Sequence, residues 1–315
     1  MLSTALIILP VFLIILAGYG SRKAGLLGEQ ASSELNRFVV WLALPCLMFD
    51  VVATTDWQAV WHPGFVAASV VGSFAAFILG LIVGKVRGLN LADMSVDGLN
   101  ASYSNSAYVG FPLMFLLFGE ASRPFVVIAA ALTLMCLFAA SIILIEFAQH
   151  SGQRGHVVAT KVGKSMLRNP IVMSPLAGFG WWMTGIPLPQ PVNTFVSLLG
   201  GAASPAALVA IGLFLAARPL REAVTNPFVL TLTAIKLVAH PALTALLAIY
   251  ILHLPHEIAV MAIIMAALPT GTGPFMVAEF YARDGKVTSG SILLSTTISV
   301  LTIAAALAWL GHSAP

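Results

Sequence analysis

Apolar runs of about twenty residues recur along the chain, separated by short polar or basic stretches, at roughly 2–20, 34–53, 63–84, 94–118, 124–147, 166–186, 192–217, 226–252, 256–280 and 288–310. A helix rising 1.5 Å per residue needs ~20 such residues to cross a ~30 Å hydrocarbon core. The pattern therefore predicts an all-α protein with ten membrane-spanning helices and short loops. Two of the runs are interrupted near the middle, the fourth by SNSAYVGFP (Ser104 to Pro112) and the ninth by LPTGTGP (Leu268 to Pro274). Such a break leaves backbone N–H and C=O groups without helical partners, so inside a membrane it must be buried in protein or face an aqueous cavity.

Composition agrees with the pattern. Hydrophobic residues make up 59% of the 315 positions and charged residues 9%, against roughly 25% charged in a soluble domain. The first run has no basic stretch before it and no small-residue cleavage site, so it is expected to be retained as a helix rather than removed as a signal peptide. Cys46 and Cys136 both fall within predicted spans, where a buried apolar role is expected and a disulfide framework is not. Lys and Arg set the orientation. Arg22, Lys23, Arg37, Lys85, Arg87, Arg154, Lys161, Lys164, Arg168, Arg218, Arg221, Arg283 and Lys286 fall on one side, Arg123 alone on the other, and Lys236 within a span. The basic side reads as cytoplasmic, which puts both termini outside, in the periplasm of a bacterial inner-membrane protein. The net charge of +3 follows from this topology and does not argue for a nucleic-acid partner.

Five spans precede the basic loop at 148–165 and five follow it, so the second half crosses in the opposite sense, the arithmetic of an inverted repeat. Pro10 and Pro175, Pro45 and Pro205, Pro63 and Pro227, and Pro112 and Pro274 pair at offsets of 160 to 165. Spans four and nine are then equivalent and antiparallel. If they cross, four half-helix ends meet near the bilayer midplane, the N-terminal ends suited to a carboxylate and the C-terminal ends to a cation. Gly110, Gly271 and Gly273 are expected to permit the dihedrals a break requires and close backbone approach. Pro112, Pro269 and Pro274 cannot donate a helical hydrogen bond. Simple proline kinks are the plainer alternative, and matched breaks with polar side chains alongside favour a binding site.

Asn105, between Ser104 and Ser106, is the first choice for substrate contact, since its amide both donates and accepts. Thr270 and Thr272 offer hydroxyls or cap freed backbone groups. Tyr103 and Tyr108 flank Asn105 as pocket walls, donors or packing residues. Lys236 is the one basic side chain deep in a span and needs a partner there. It either attracts an anionic substrate or balances the C-terminal dipole ends at the crossover. His240, four residues on, shares its helical face and is either a proton-linked group or a satisfied interior histidine. Among the carboxylates, Asp97, read as opening the helix before the first break, and Glu279, closing the helix after the second, are candidates for coupling. Asp50 and Glu146 read as interfacial. No HExxH helix, GxSxG elbow or nucleotide cradle is present in the sequence, so an enzyme, a metal site, a cofactor or ATP-driven transport by this chain is not expected.

These residues resemble the auxin efflux carrier family, which includes plant PIN auxin exporters and bacterial malonate and malate carriers. The likeness rests on ILPVFLIILAGYGSRKAGLL, LALPCLMF, SYSNSAYVGFPL, RNPIVMSPLAG, ALPTGTGPFMVAEFYARD and SILLSTTISVLT. The resemblance implies a 5+5 fold similar to bile-acid symporters and sodium/proton antiporters, with 1–57 and 165–218 as a dimerising scaffold. It implies a transport core at 58–149 and 219–315, joined by a connector at 150–164. By likeness, Asn105 matches a carboxylate-binding asparagine. The second break lacks the asparagine common in the family, and Ser204 beside Pro205 is the nearest substitute for a polar partner in span seven. The implied function is elevator-type secondary transport of a small mono- or dicarboxylate by a homodimer, with a proton or sodium ion as the coupling candidates. The predicted substrate contacts are Ser104, Asn105, Tyr108, Gly110, Pro112, Ser204, Pro269, Thr270, Thr272, Gly273 and Pro274. The rival on the same fold is a sodium- or proton-coupled cation exchanger, expected to place carboxylates at the crossover. A membrane sensor or enzyme is the remote alternative.

Overall fold

The computed structural model describes residues 2–150, 160, 164, 167–217 and 225–311. Most of the connector, with Arg154 and Lys161, and also Arg218 and Arg221, therefore lie outside the described residues, as do the side chains of Tyr108, Pro112 and Arg123. The described residues form helices and no strands. They are α1 (Leu2–Lys23), α2 (Ala31–Thr54), α3 (Pro63–Val86), α4 (Leu91–Ser102), α5 (Phe111–Phe118), α6 (Pro124–Gln149), α7 (Pro170–Met183), α8 (Gln190–Ala216), α9 (Pro227–Ile251), α10 (His256–Ala267), α11 (Gly273–Phe280) and α12 (Lys286–Trp309). Six of them, α2, α3, α6, α8, α9 and α12, are long and apolar enough to cross a membrane.

Local chemistry sets where these helices start and bend. Asn169 and Asn226, each followed by proline at the first helical position, accept from Ile171 N and Phe228 N and so cap α7 and α9. Pro45 and Pro241 have no N–H to offer, and the turns just before them, Val39–Ala43 in α2 and Ile235–Ala239 in α9, widen to π geometry. Asn90 caps α4 by accepting from Asp93 N, so this helix begins before the predicted span. Asp97 consequently lies in the middle of α4 and is 3% exposed, where the sequence reading had it opening the helix.

Packing depends on small residues, as expected where lipid gives helices no hydrophobic reason to associate. Gly80 and Gly84 of α3 lie against the backbone of α4 at Asp97, Gly98 and Met94. Gly18 and Gly212 let α1 and α8 meet backbone to backbone, and Gly178 and Gly200 bring α7 and α8 onto α2. Thus α1, α2, α7 and α8 pack together, while α3 packs along α4 and α9, and α4 packs on α6.

Candidate functional site

The two interruptions meet. Ser104 and Thr270 form an antiparallel bridge, with Asn105 N donating to Pro269 O at 2.9 Å and Gly271 N to Tyr103 O at 3.0 Å. Each break thereby satisfies amides and carbonyls that the other leaves open, which is the accounting a buried, non-helical backbone requires.

The carbonyl ends of both half-helices are also occupied. At the end of α4, Asn100 O accepts from Thr270 Oγ1 (3.0 Å) and Gly98 O from Ser102 Oγ (2.8 Å). At the end of α10, Ala266 O accepts from Lys236 Nζ at 2.7 Å. Lys236 is fully buried, and its Nζ also sits 3.2 Å from His240 Nδ1, whose Nε2 lies 3.2 Å from Ser73 Oγ. Lys236 Nζ thus meets the C-terminal end of α10, where partial negative charge collects. Thr270, fully buried, is likewise spent on backbone, its own N–H donating to Ser295 Oγ.

The amino ends are turned elsewhere. A cavity of about 450 Å³, counting the part open to its surroundings, is lined by Ser104, Asn105, Ser106, Gly271 and Thr272 from the breaks, and by Leu44, Leu47, Ala203 and Ser204 from α2 and α8. Tyr103, Ala130, Thr133 and Met276 complete its polar and apolar walls. Ser106 opens the π turn Ser106–Gly110 that leads into α5, and Thr272 is the N-cap of α11. The first amides of a helix have no preceding turn to accept them, and they carry partial positive charge. With residues at the start of α11 and of the turn before α5, hydroxyls and an amide in its lining, and no carboxylate, the cavity suits an anion better than a cation.

Close packing, rather than left-handed backbone, explains the glycines. Gly110, Gly271 and Gly273 all have negative φ, so the breaks require of them no dihedral that glycine alone adopts. Tyr103 stacks on Phe138 with ring centroids 5.0 Å apart. A Cβ at Gly271 would come 2.9 Å from Tyr103 Cε1, and one at Gly273 2.6 Å from Phe138 Cε1 and Tyr103 Cζ. Gly273→Val is accordingly expected to destabilise the protein by about 1–3 kcal/mol through overpacking. Thermal unfolding of the purified variant in detergent checks this, and an unchanged midpoint would show that the aromatic pair yields freely.

Four predicted site residues, Ser104, Asn105, Thr272 and Ser204, share this cavity. Pro269 contributes its carbonyl to the bridge, Pro274 is buried in the first turn of α11, and Gly110 packs under Leu268. Asp97 and Glu279 do not line the cavity. Asp97 accepts a hydrogen bond from Arg87 Nη1 and lines a separate cavity with Asp93, Arg283, Asp284 and Thr288. Glu146 is 5% exposed rather than interfacial, and accepts from Tyr281 Oη at 3.0 Å, while Asn169 Nδ2 donates to Tyr281 Oη at 3.0 Å. Burial, with the Glu146 carboxylate beside it, pushes the Tyr281 hydroxyl above its ordinary range. It therefore remains a donor at neutral pH. Leu44 and Leu47 of α2, Ala203 of α8 and Thr133 of α6 were missed by sequence reasoning, because apolar and lone hydroxyl positions in a span carry no signal of which cavity they border.

A family model described as membrane transport protein matches residues 5–307. The chain is 29% identical over 298 residues to a "Putative malonate transporter" of Rhizobium meliloti, across 94% of this chain and 92% of that protein. It is 26% identical over 228 residues to an "Uncharacterized transporter" of Methanothermobacter thermautotrophicus, across 70% of each. With an uncharacterized transporter of Methanocaldococcus jannaschii it shares 22% identity over 322 residues, across 95% of this chain and 96% of the relative.

Proposed function

We propose a substrate and a mechanism from one premise: the chain belongs to the membrane transport protein family, the auxin efflux carriers, and is an integral membrane transporter rather than an enzyme. Our reading is a secondary transporter of a small carboxylate, with a dicarboxylate of malonate type as the first candidate, in keeping with the name of the Rhizobium relative. The observation that carries it is the cavity at the paired breaks, which receives helix amino ends, the Asn105 amide and hydroxyls while the carbonyl ends are occupied by Lys236 and Thr270. A carboxylate there accepts hydrogen bonds from preorganised donors, the arrangement expected of substrate sites at discontinuous helices.

The chain would cross the membrane ten times as a 5+5 inverted repeat, with α4–α5 and α10–α11 as the broken fourth and ninth spans and both termini periplasmic. Its scaffold, 1–57 and 165–218, would pair with a second copy, and its core, 58–149 and 219–315, would move as an elevator. The mutual packing of α1, α2, α7 and α8 supports this division, and the cavity lies where the two groups of helices face each other. Uptake of radiolabelled malonate and of monocarboxylates into proteoliposomes tests the function. Saturable uptake is expected, and its absence across the panel would overturn the reading.

Tyr281 bonds to Asn169 of the scaffold and to Glu146 of the core, so it ties the two together in this conformation. Tyr281→Phe removes both bonds, each worth about 0.5–1.5 kcal/mol or more when a carboxylate accepts. The variant is expected to release the core more readily. Faster thiol labelling of a cysteine placed at Ser204, in a chain lacking Cys46 and Cys136, would report this. Equal labelling would mean that Tyr281 is no tie.

A further inference from the structure

A second cavity lies behind the crossover, sharing Ser104, Ser106 and Thr133 with the first. The space between its walls is about 430 Å³ when the part open to its surroundings is counted, and its other polar walls are Ser69, Ser73 and His240. Its lining comes from α3, α6, α9, α10 and the first break, without α2 or α8. It belongs to the core helices alone.

The polar groups around it have one character. Ser69 Oγ and Ser106 Oγ are buried and have no hydrogen-bond partner among the described residues, although a buried hydroxyl without a partner carries a desolvation cost. Ser106 is only 4% exposed and borders both cavities. Lys236 Nζ donates to Ala266 O and faces His240 Nδ1. With Nδ1 accepting, the ring hydrogen sits on Nε2 and points to Ser73 Oγ, which leaves the Ser73 hydroxyl hydrogen available to the cavity. The titratable groups facing this space are His240, backed by Lys236, from α9 and Cys136 from α6, and no carboxylate lines it. Lys236 and His240 are positive or neutral, never negative. The last turns of α10 also border this space at Ala262, Met265 and Ala266, and there Lys236 Nζ covers the Ala266 carbonyl, so the hydroxyls are the side-chain groups left to meet an anion.

We propose that this second cavity binds a small anionic group through the hydroxyls of Ser69, Ser73 and Ser106, next to the carboxylate cavity at the breaks. The group has two sources of the same chemistry: the second carboxylate of a dicarboxylate that spans the shared wall at Ser106, or free chloride. The first source rests on the carboxylate-transport reading and makes the protein selective for dicarboxylates. The hydroxyls that lack partners within the protein then find them in the anion.

Binding of malonate, acetate and chloride to the purified full chain, in chloride-free methanesulfonate buffer, tests this. Wild type is compared with Ser69→Ala/Ser73→Ala and with Ser73→Thr, which keeps a hydroxyl. A loss of about tenfold or more in malonate affinity in the double alanine variant, with acetate affinity unchanged and recovery in the threonine variant, identifies the second carboxylate. Loss of chloride-dependent thermal stabilisation in the alanine variant, with the malonate to acetate ratio unchanged, identifies free chloride. If neither the ratio nor the chloride effect moves in a variant that unfolds at the wild-type temperature, the inference is overturned. Failure of the wild type to bind either carboxylate would instead overturn the transport reading, and the chloride arm would still decide this one.

Discussion

Asn105→Ala is expected to lower carboxylate affinity by about 10- to 100-fold, the equivalent of one charge-assisted hydrogen bond of ~1.5–3 kcal/mol. The backbone at this position is held independently of the side chain. Its N–H donates to Pro269 O, and its carbonyl accepts from Val109 N and Gly110 N. Truncation therefore removes the amide from the cavity while the bridge between Ser104 and Thr270 remains. Stabilisation by malonate, which follows occupancy, should shift to higher concentration. Asn105→Asp sharpens the test, because a carboxylate at that position repels the substrate and is expected to be worse than alanine. Equal affinity in all three proteins would move the binding site away from the breaks.

Much of this arrangement is legible in the chain. A proline without an N–H, glycines and polar residues within an apolar run point to a break or a kink, and the pairing of Ser104 with Thr270 makes these two breaks that satisfy each other. Asn105, Ser104, Thr272 and Ser204 do border one cavity. Side-chain direction at a non-helical residue depends on dihedrals that no periodicity supplies, so Thr270 and Thr272 look alike in sequence. The structure turns Thr270 into the backbone and leaves Thr272 at the cavity. The burial of Asp97 was hidden for a related reason, since an Asn90 cap sets the start of α4 earlier than the apolar run does. Nothing in the spacing of Ser69, Ser73 and Ser106 indicates that three hydroxyls from two parts of the chain share a space, because that depends on how α3 docks against the first break.

Lys236→Met is expected to destabilise the protein more than it changes substrate affinity. The substitution keeps the volume and removes the donor, leaving Ala266 O, at the buried end of α10, without the hydrogen bond it accepts at 2.7 Å. An unsatisfied buried polar group costs about 1–3 kcal/mol, and His240 Nδ1 loses its neighbour as well. Lys236→Arg retains a donor but not the compact one at the tip of a flexible stem, so it should recover only part of the stability. A direct role for Lys236 in attracting substrate predicts the opposite pattern: carboxylate affinity would fall in Lys236→Met while the unfolding temperature without ligand stayed put. Because Lys236 neutralises the carbonyl end of α10 from behind, its loss also restores partial negative charge near the crossover, so any fall in affinity should follow the loss of stability and be smaller than that of Asn105→Ala.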